Sequence, residues 1–117
     1  MRKHKKGRTL GRERKLRVAL LRSLASNLIE KGKITSTEAK AKELRPFIER
    51  LITFGKKGDV SSIRLIEARL GGNTKGAFRL VKDIAPRYKD RQGGYTRIVK
   101  LVTRKSDSAR RAQISFV

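Results

Sequence analysis

Any hydrolytic or transfer chemistry in this chain would have to start from its acidic side chains, because it has no Cys and a single His. Such chemistry needs groups that converge and shift one another's pKa. The acids Glu30, Glu38, Glu43, Glu49, Asp59, Glu67, Asp83, Asp90 and Asp107 are instead scattered among Lys and Arg, the pattern of solvated helix faces and caps. His4 without a thiolate partner is no transition-metal set. Gly71-Gly72 and Gly93-Gly94 lack the spacing, and the following Lys-Ser/Thr, of a loop that cradles a nucleotide. No catalytic residue, metal, cofactor or small-molecule substrate is expected.

Binding is a different matter. The first twenty-two residues hold ten Lys or Arg against the single acid Glu13, and the net charge is +22 over 117 residues. Arg2, Lys3, His4, Lys5, Lys6 and Arg8 crowd around Gly7 with no apolar residue between Met1 and Leu10. A segment with nothing to bury stays disordered until a polyanion orders it, so residues 1–11 read as a basic arm on a single globular domain at 12–117. Self-repulsion at this charge density points to a permanent negative partner: RNA or DNA first, an anionic membrane surface second.

A second candidate contact runs through Arg87-Tyr88-Lys89-Asp90-Arg91-Gln92-Gly93-Gly94-Tyr95-Thr96-Arg97. Glycines let backbone N–H groups approach a phosphate, arginines make bidentate phosphate contacts, and a Tyr ring can stack on a base or ribose. The competing reading is a solvated basic turn with Tyr95 filling core, and composition does not choose between them.

The elements that must position these residues follow from periodicity. Leu16, Leu20, Leu24 and Leu28, with Leu21, Ala25 and Ile29, predict an amphipathic helix over 12–31, ended by Gly32 in a left-handed cap. Its basic residues Arg12, Arg14, Lys15, Arg17 and Arg22 are available to an anion. A short β-branched stretch at 33–36 predicts a strand. Thr35 and Glu38 have capping-box spacing for a second helix, in which Leu44, Phe47, Ile48, Leu51 and Ile52 keep phase through Pro46, with a kink expected near Arg45. Asp59 is placed to cap a third helix with Ile63, Ile66 and Leu70 on one face, stopped by Gly71-Gly72. Asn73 is placed to cap a fourth, with Ala77, Phe78, Val81, Ile84 and Ala85 inward and Pro86 closing it. Two strands follow, at 95–103 and 110–117, around a hairpin loop at 105–108. The expected fold is a two-layer α/β domain in the order helix, strand, three helices, two strands, with a sheet of about three strands.

No apolar run reaches the roughly 20 residues that span a bilayer. The basic N-terminus lacks the apolar region of a secretory signal, and its charge clusters are too dense for the amphipathic face of a transit peptide. A cytoplasmic location is expected.

Pro86-Arg87-Tyr88 followed by Arg91-Gln92-Gly93-Gly94-Tyr95-Thr96-Arg97-Ile98 closely resembles the signature of the bacterial large-subunit ribosomal protein L-seventeen family. The opening Met1-Arg2 with Lys5, Gly7-Arg8 and Leu10, and the central Ala39-Lys40-Ala41-Lys42-Glu43-Leu44-Arg45, look like that family's other two blocks, in the same order. Gly11, Leu16 and Ser23 depart from it, standing where many members carry Asn, His and Asn; Leu16 is expected to join the apolar stripe instead. The resemblance implies a structural, non-catalytic protein bound to large-subunit ribosomal RNA near the exit of the nascent-peptide tunnel, beside other ribosomal proteins. It adds Lys42 and Arg45 to the candidate RNA contacts. A nucleoid-type DNA-binding protein is the alternative from another class.

Overall fold

A computed structural model of the chain describes residues 14–102 and 110–117. The expected arm and the hairpin loop at 105–108 lie outside the described residues. The element order is α1 (Arg14–Lys31), β1 (Lys33–Thr37), α2 (Glu38–Gly55), α3 (Val60–Arg69), α4 (Thr74–Arg79), a π turn (Leu80–Ile84), a 3-10 turn (Ala85–Tyr88), β2 (Thr96–Lys100) and β3 (Arg111–Phe116). This is the expected mixed α/β order with a three-stranded sheet.

The sheet is antiparallel, in the order β1-β3-β2. β3 lies in the centre because its alternation places Ala112 and Ile114 on the helix side, both fully buried. Ile34 and Ile98 stand opposite Ile114 from either flank, so one row of isoleucines crosses all three strands and packs on the helices. Arg111, Gln113 and Ser115 face the other way, as period-two alternation requires.

α2 is the central helix and covers the sheet. Ala41, Leu44, Ile48, Leu51 and Ile52 are buried along it, and it runs through Pro46 unbroken to Gly55. Its cap corrects the expectation: Thr37, not Thr35, accepts the Lys40 N–H at 3.3 Å. Thr35 is committed to the ladder opposite Gln113, and β1 extends to Thr37 because that residue still pairs with Arg111. Gly32 ends α1 at φ 82°, as expected.

α3 starts at Asp59, whose carboxylate accepts the Ser62 N–H at 2.8 Å. It ends in a Schellman motif: the Gly72 N–H bonds to Glu67 O at 2.8 Å and the Gly71 N–H to Ala68 O at 3.1 Å, both glycines at positive φ. Asn73 caps α4 through the Gly76 N–H at 3.0 Å. The need for glycine at 76 is steric, since a Cβ there would lie 2.6 Å from the Asn73 amide nitrogen.

Two expectations about apolar placement and one about a helix end fail. Phe78 is half exposed, and Leu80 takes its place in the core with Ala77, Val81, Ile84 and Ala85. These inward positions repeat at three and four residues from Ala77, so Phe78, one residue on, turns to the flank. Pro86 does not close the helical segment, which rewinds from π to 3-10 geometry and carries on to Tyr88. Leu16 does not join the stripe: it is 58% exposed, while Ala25, Leu28 and Ile29 carry the burial of α1. The N-terminal half of α1 therefore extends past the core it was expected to pack on.

Candidate nucleic-acid interface

The Gly-Gly loop is held from below by aromatic core. Tyr88 and Tyr95 are both buried, with ring centroids 5.2 Å apart and planes tilted by 52°. Neither ring is free to stack on a base, so core filling is the reading that holds for both. The Tyr88 hydroxyl donates to Val117 O at 2.7 Å, which ties the 3-10 turn to the end of β3. Burial pushes the Tyr88 phenol up from its ordinary pKa. The Tyr95 phenol moves the other way, because the Gly93 backbone N–H, and then the Lys56 ammonium, favour its ionised form.

Lys56, just past the end of α2, anchors the loop. Its Nζ donates to Arg91 O at 2.6 Å and to the Tyr95 hydroxyl at 3.1 Å. Gly93 and Gly94 sit at φ 88° and 63°, so the left-handed backbone favours glycine at both positions. This conformation turns the chain back under Arg91, whose guanidinium donates to Gly94 O at 3.2 Å.

Thr96 follows, at the start of β2, and is buried. Its backbone N–H and its hydroxyl donate to Glu49 Oε2 at 3.3 and 2.8 Å. The same oxygen accepts from Arg45 Nε at 3.4 Å, and Arg45 NH2 reaches Thr96 O at 3.5 Å. One turn of α2 is thus bonded to the first residue of β2. Above this junction an open cleft of about 460 Å³ is lined by Arg45, Arg91, Gly93, Gly94, Thr96 and Arg97, with Ile98 and Val117. Arg45 of a helix, Arg91 of a loop and Arg97 of a strand all reach its lining, and no Asp or Glu is among the lining residues. An anion with oxygens on several sides, such as a phosphodiester, matches this donor set.

The other candidates divide. Arg14 and Lys15 are exposed on α1 and share a shallow concavity of about 350 Å³ with Val18 and Arg22. Arg17 is partly exposed. Lys42 is paired with Glu38 at 2.9 Å and Arg87 with Asp83 at 3.2 Å; such surface pairs are weak and can exchange for phosphate. Arg2, Lys3, His4, Lys5, Lys6, Gly7, Arg8 and Arg12 lie outside the described residues. Sequence reasoning missed Lys56 and Glu49. Glu49 carried one local signal, its four-residue spacing from Arg45 on a helix; nothing local marks its bond to Thr96.

Among the described residues no group of His, Cys, Asp and Glu is placed to hold a metal ion, and no helix is long and apolar enough to cross a membrane. A profile of the family described as Ribosomal protein L17 matches residues 20–117. The chain belongs to the ribosomal protein L17 family. It is 51% identical to the large ribosomal subunit protein bL17 of Persephonella marina, over the whole of this chain and 95% of that protein. Identity to the Nautilia profundicola bL17 is 47% over 98% of each chain. To that of Novosphingobium aromaticivorans it is 50%, over 98% of this chain and 82% of that protein. Ribosomal protein L17 is a structural, non-enzymatic component. The signature that carried the resemblance, residues 86–98, supplies two of the three cleft arginines, and the central block at 39–45 ends on the third, Arg45.

Proposed function

We propose that the chain is a structural constituent of the large ribosomal subunit that binds large-subunit ribosomal RNA near the exit of the nascent-peptide tunnel, beside neighbouring ribosomal proteins and in the cytoplasm. The observation that carries the RNA contact is the cleft lined by Arg45, Arg91 and Arg97 beside the Gly-Gly turn. Family membership supplies the large subunit as the setting. The exposed cations of α1 and the arm at 1–11 extend the contact, and the net charge of +22 fits a partner that is itself a polyanion.

In this reading the arginines position the protein on RNA backbone, and the body contributes shape rather than base readout. The buried tyrosines support that division, since no described aromatic in the loop is offered for stacking.

Co-sedimentation with large ribosomal subunits after a high-salt wash, paired with competition between large-subunit ribosomal RNA and duplex DNA at matched salt, tests the proposal. Retention on the subunit and a preference for the ribosomal RNA are expected. Release by the wash together with equal affinity for duplex DNA would favour a nucleoid-type protein instead.

A further inference from the structure

Beside the arginine cleft lies an acid, Glu49, that is neither a cap nor a solvated face, with its side chain 21% exposed. Its Oε2 gathers three donors: the Thr96 N–H, the Thr96 hydroxyl and Arg45 Nε. Simple electrostatics counts such a carboxylate against RNA binding, because it repels phosphate from close range.

We propose that Glu49 is the positioning residue of the RNA contact, holding Arg45 in the orientation that faces the cleft and fixing the strand that carries Arg97. The inference rests on the RNA-binding reading above. A guanidinium has five N–H donors in a rigid fork. Glu49 takes Nε and Thr96 O takes one donor of NH2. With two donors engaged by protein, the plane of Arg45 is set before any ligand arrives, and its remaining N–H groups are left for an anion in the cleft. A long side chain already ordered loses less rotamer freedom when it binds. The bonds to Thr96 add a second effect. They pin the first residue of β2 to α2 across 47 residues of sequence, so Arg97, the next residue, projects from a fixed strand end. The charge of Glu49 is neutralised locally by the group it orients.

The test turns on a sign. Glu49→Gln raises the net charge by one, so charge counting predicts tighter binding to RNA. Positioning predicts weaker binding, by about three- to tenfold, as one charge-assisted bond to Arg45 is lost. The full chain is titrated against large-subunit ribosomal RNA transcribed in vitro, at fixed salt. Unchanged or tighter binding by Glu49→Gln overturns the proposal.

Route is tested in the Arg45→Ala background, where Glu49→Gln can act only through its bonds to Thr96 and should cost clearly less affinity than in the parent. A loss there equal to that in the parent overturns the role assigned to Arg45. Thr96→Val removes one anchor of Glu49 without altering any charge, and so covers the case in which Glu49→Gln fails to fold. It should weaken binding about two- to fivefold; affinity equal to the parent overturns the proposal. Arg91→Ala and Arg97→Ala separate this inference from the reading it rests on. If both bind like the parent at every salt concentration, the loop is not an RNA contact and both ideas fall together. If both weaken binding while Glu49→Gln does not, only the positioning role is lost.

Discussion

The ammonium of Lys56 donates to the backbone carbonyl of Arg91 at 2.6 Å, joining the end of the central helix to the tip of a loop 35 residues away. This bond, with the second one to Tyr95, holds a glycine-rich turn that has little apolar burial of its own. Lys56→Met keeps most of the aliphatic stem and removes the donor. Amide exchange of residues 91–95 should then speed up by roughly two- to tenfold as the bonds to Arg91 and Tyr95 are lost, while exchange in α2 stays unchanged. Equal protection in parent and variant would mean the glycines alone fix the turn.

The chain has two tyrosines, and they should ionise in a set order. Tyr95 has its phenolate favoured by the Gly93 N–H and Lys56, whereas Tyr88 has its neutral form favoured by burial. Tyrosinate absorbance should rise in two steps, and Tyr95→Phe should delete the earlier one. Because the Tyr88 pKa is raised on folding, its neutral form stabilises the fold, and that stability is lost as pH climbs through the alkaline range. Deletion of the later step by Tyr95→Phe would reverse the assignment.

Acid stability has one local contributor with a clear sign. Asp59 caps α3, and its pKa is lowered by the hydrogen bonds it accepts from Ser62. A carboxyl with a folded-state pKa below its unfolded value of 3.8 adds stability at higher pH and loses it as pH falls from that value through the lowered one. Asp59→Asn keeps a good cap but cannot titrate, so its stability should fall less steeply with acid. Identical acid slopes in parent and variant would remove Asp59 from the account.

Core substitutions should follow burial rather than the leucine repeat. Leu28 and Leu51 are essentially fully buried, and replacing either with Ala should cost about 2 to 5 kcal/mol by cavity formation. Leu24 is only partly buried and should cost less than half as much. Leu16→Ala should stay within about 0.5 kcal/mol of the parent. Urea unfolding of the free chain checks all four; a large loss at Leu16 would mean that α1 packs further along its length than described.

These differences show where local pattern stops being informative. Helix faces, the caps at Asp59 and Asn73, the left-handed stops at Gly32 and Gly71-Gly72 and the alternation of β3 all follow from residue type and spacing, because each is decided within one or two turns of chain. The displaced cap at Thr37 depends on how far β1 pairs with a strand some eighty residues later in the sequence. The exposure of Leu16 depends on where the neighbouring helices end. For Phe78, the phase set by Ala77, Leu80, Val81 and Ile84 leaves the ring on the flank, and aromatic size does not override that phase. At the site, the arginines and glycines of the loop stand out in sequence. The Glu49–Thr96 bond and the Lys56 anchor do not, since both link α2 to residues brought near only by the fold.

The central claim is that the basic residues bind RNA backbone directly, with the three-arginine cleft as a specific point of contact. It is tested most directly by the salt dependence of affinity for large-subunit ribosomal RNA, measured for the parent chain, Arg91→Ala and Arg97→Ala. If about eight phosphates are neutralised, log K should fall against log salt with a slope of about −6 to −7. Each arginine variant should have a slope shallower by about one and an affinity deficit that persists at high salt, with unfolding unchanged. A parent slope shallower than about −2, or variants that match the parent once salt is high, would contradict the account and leave the loop as a turn.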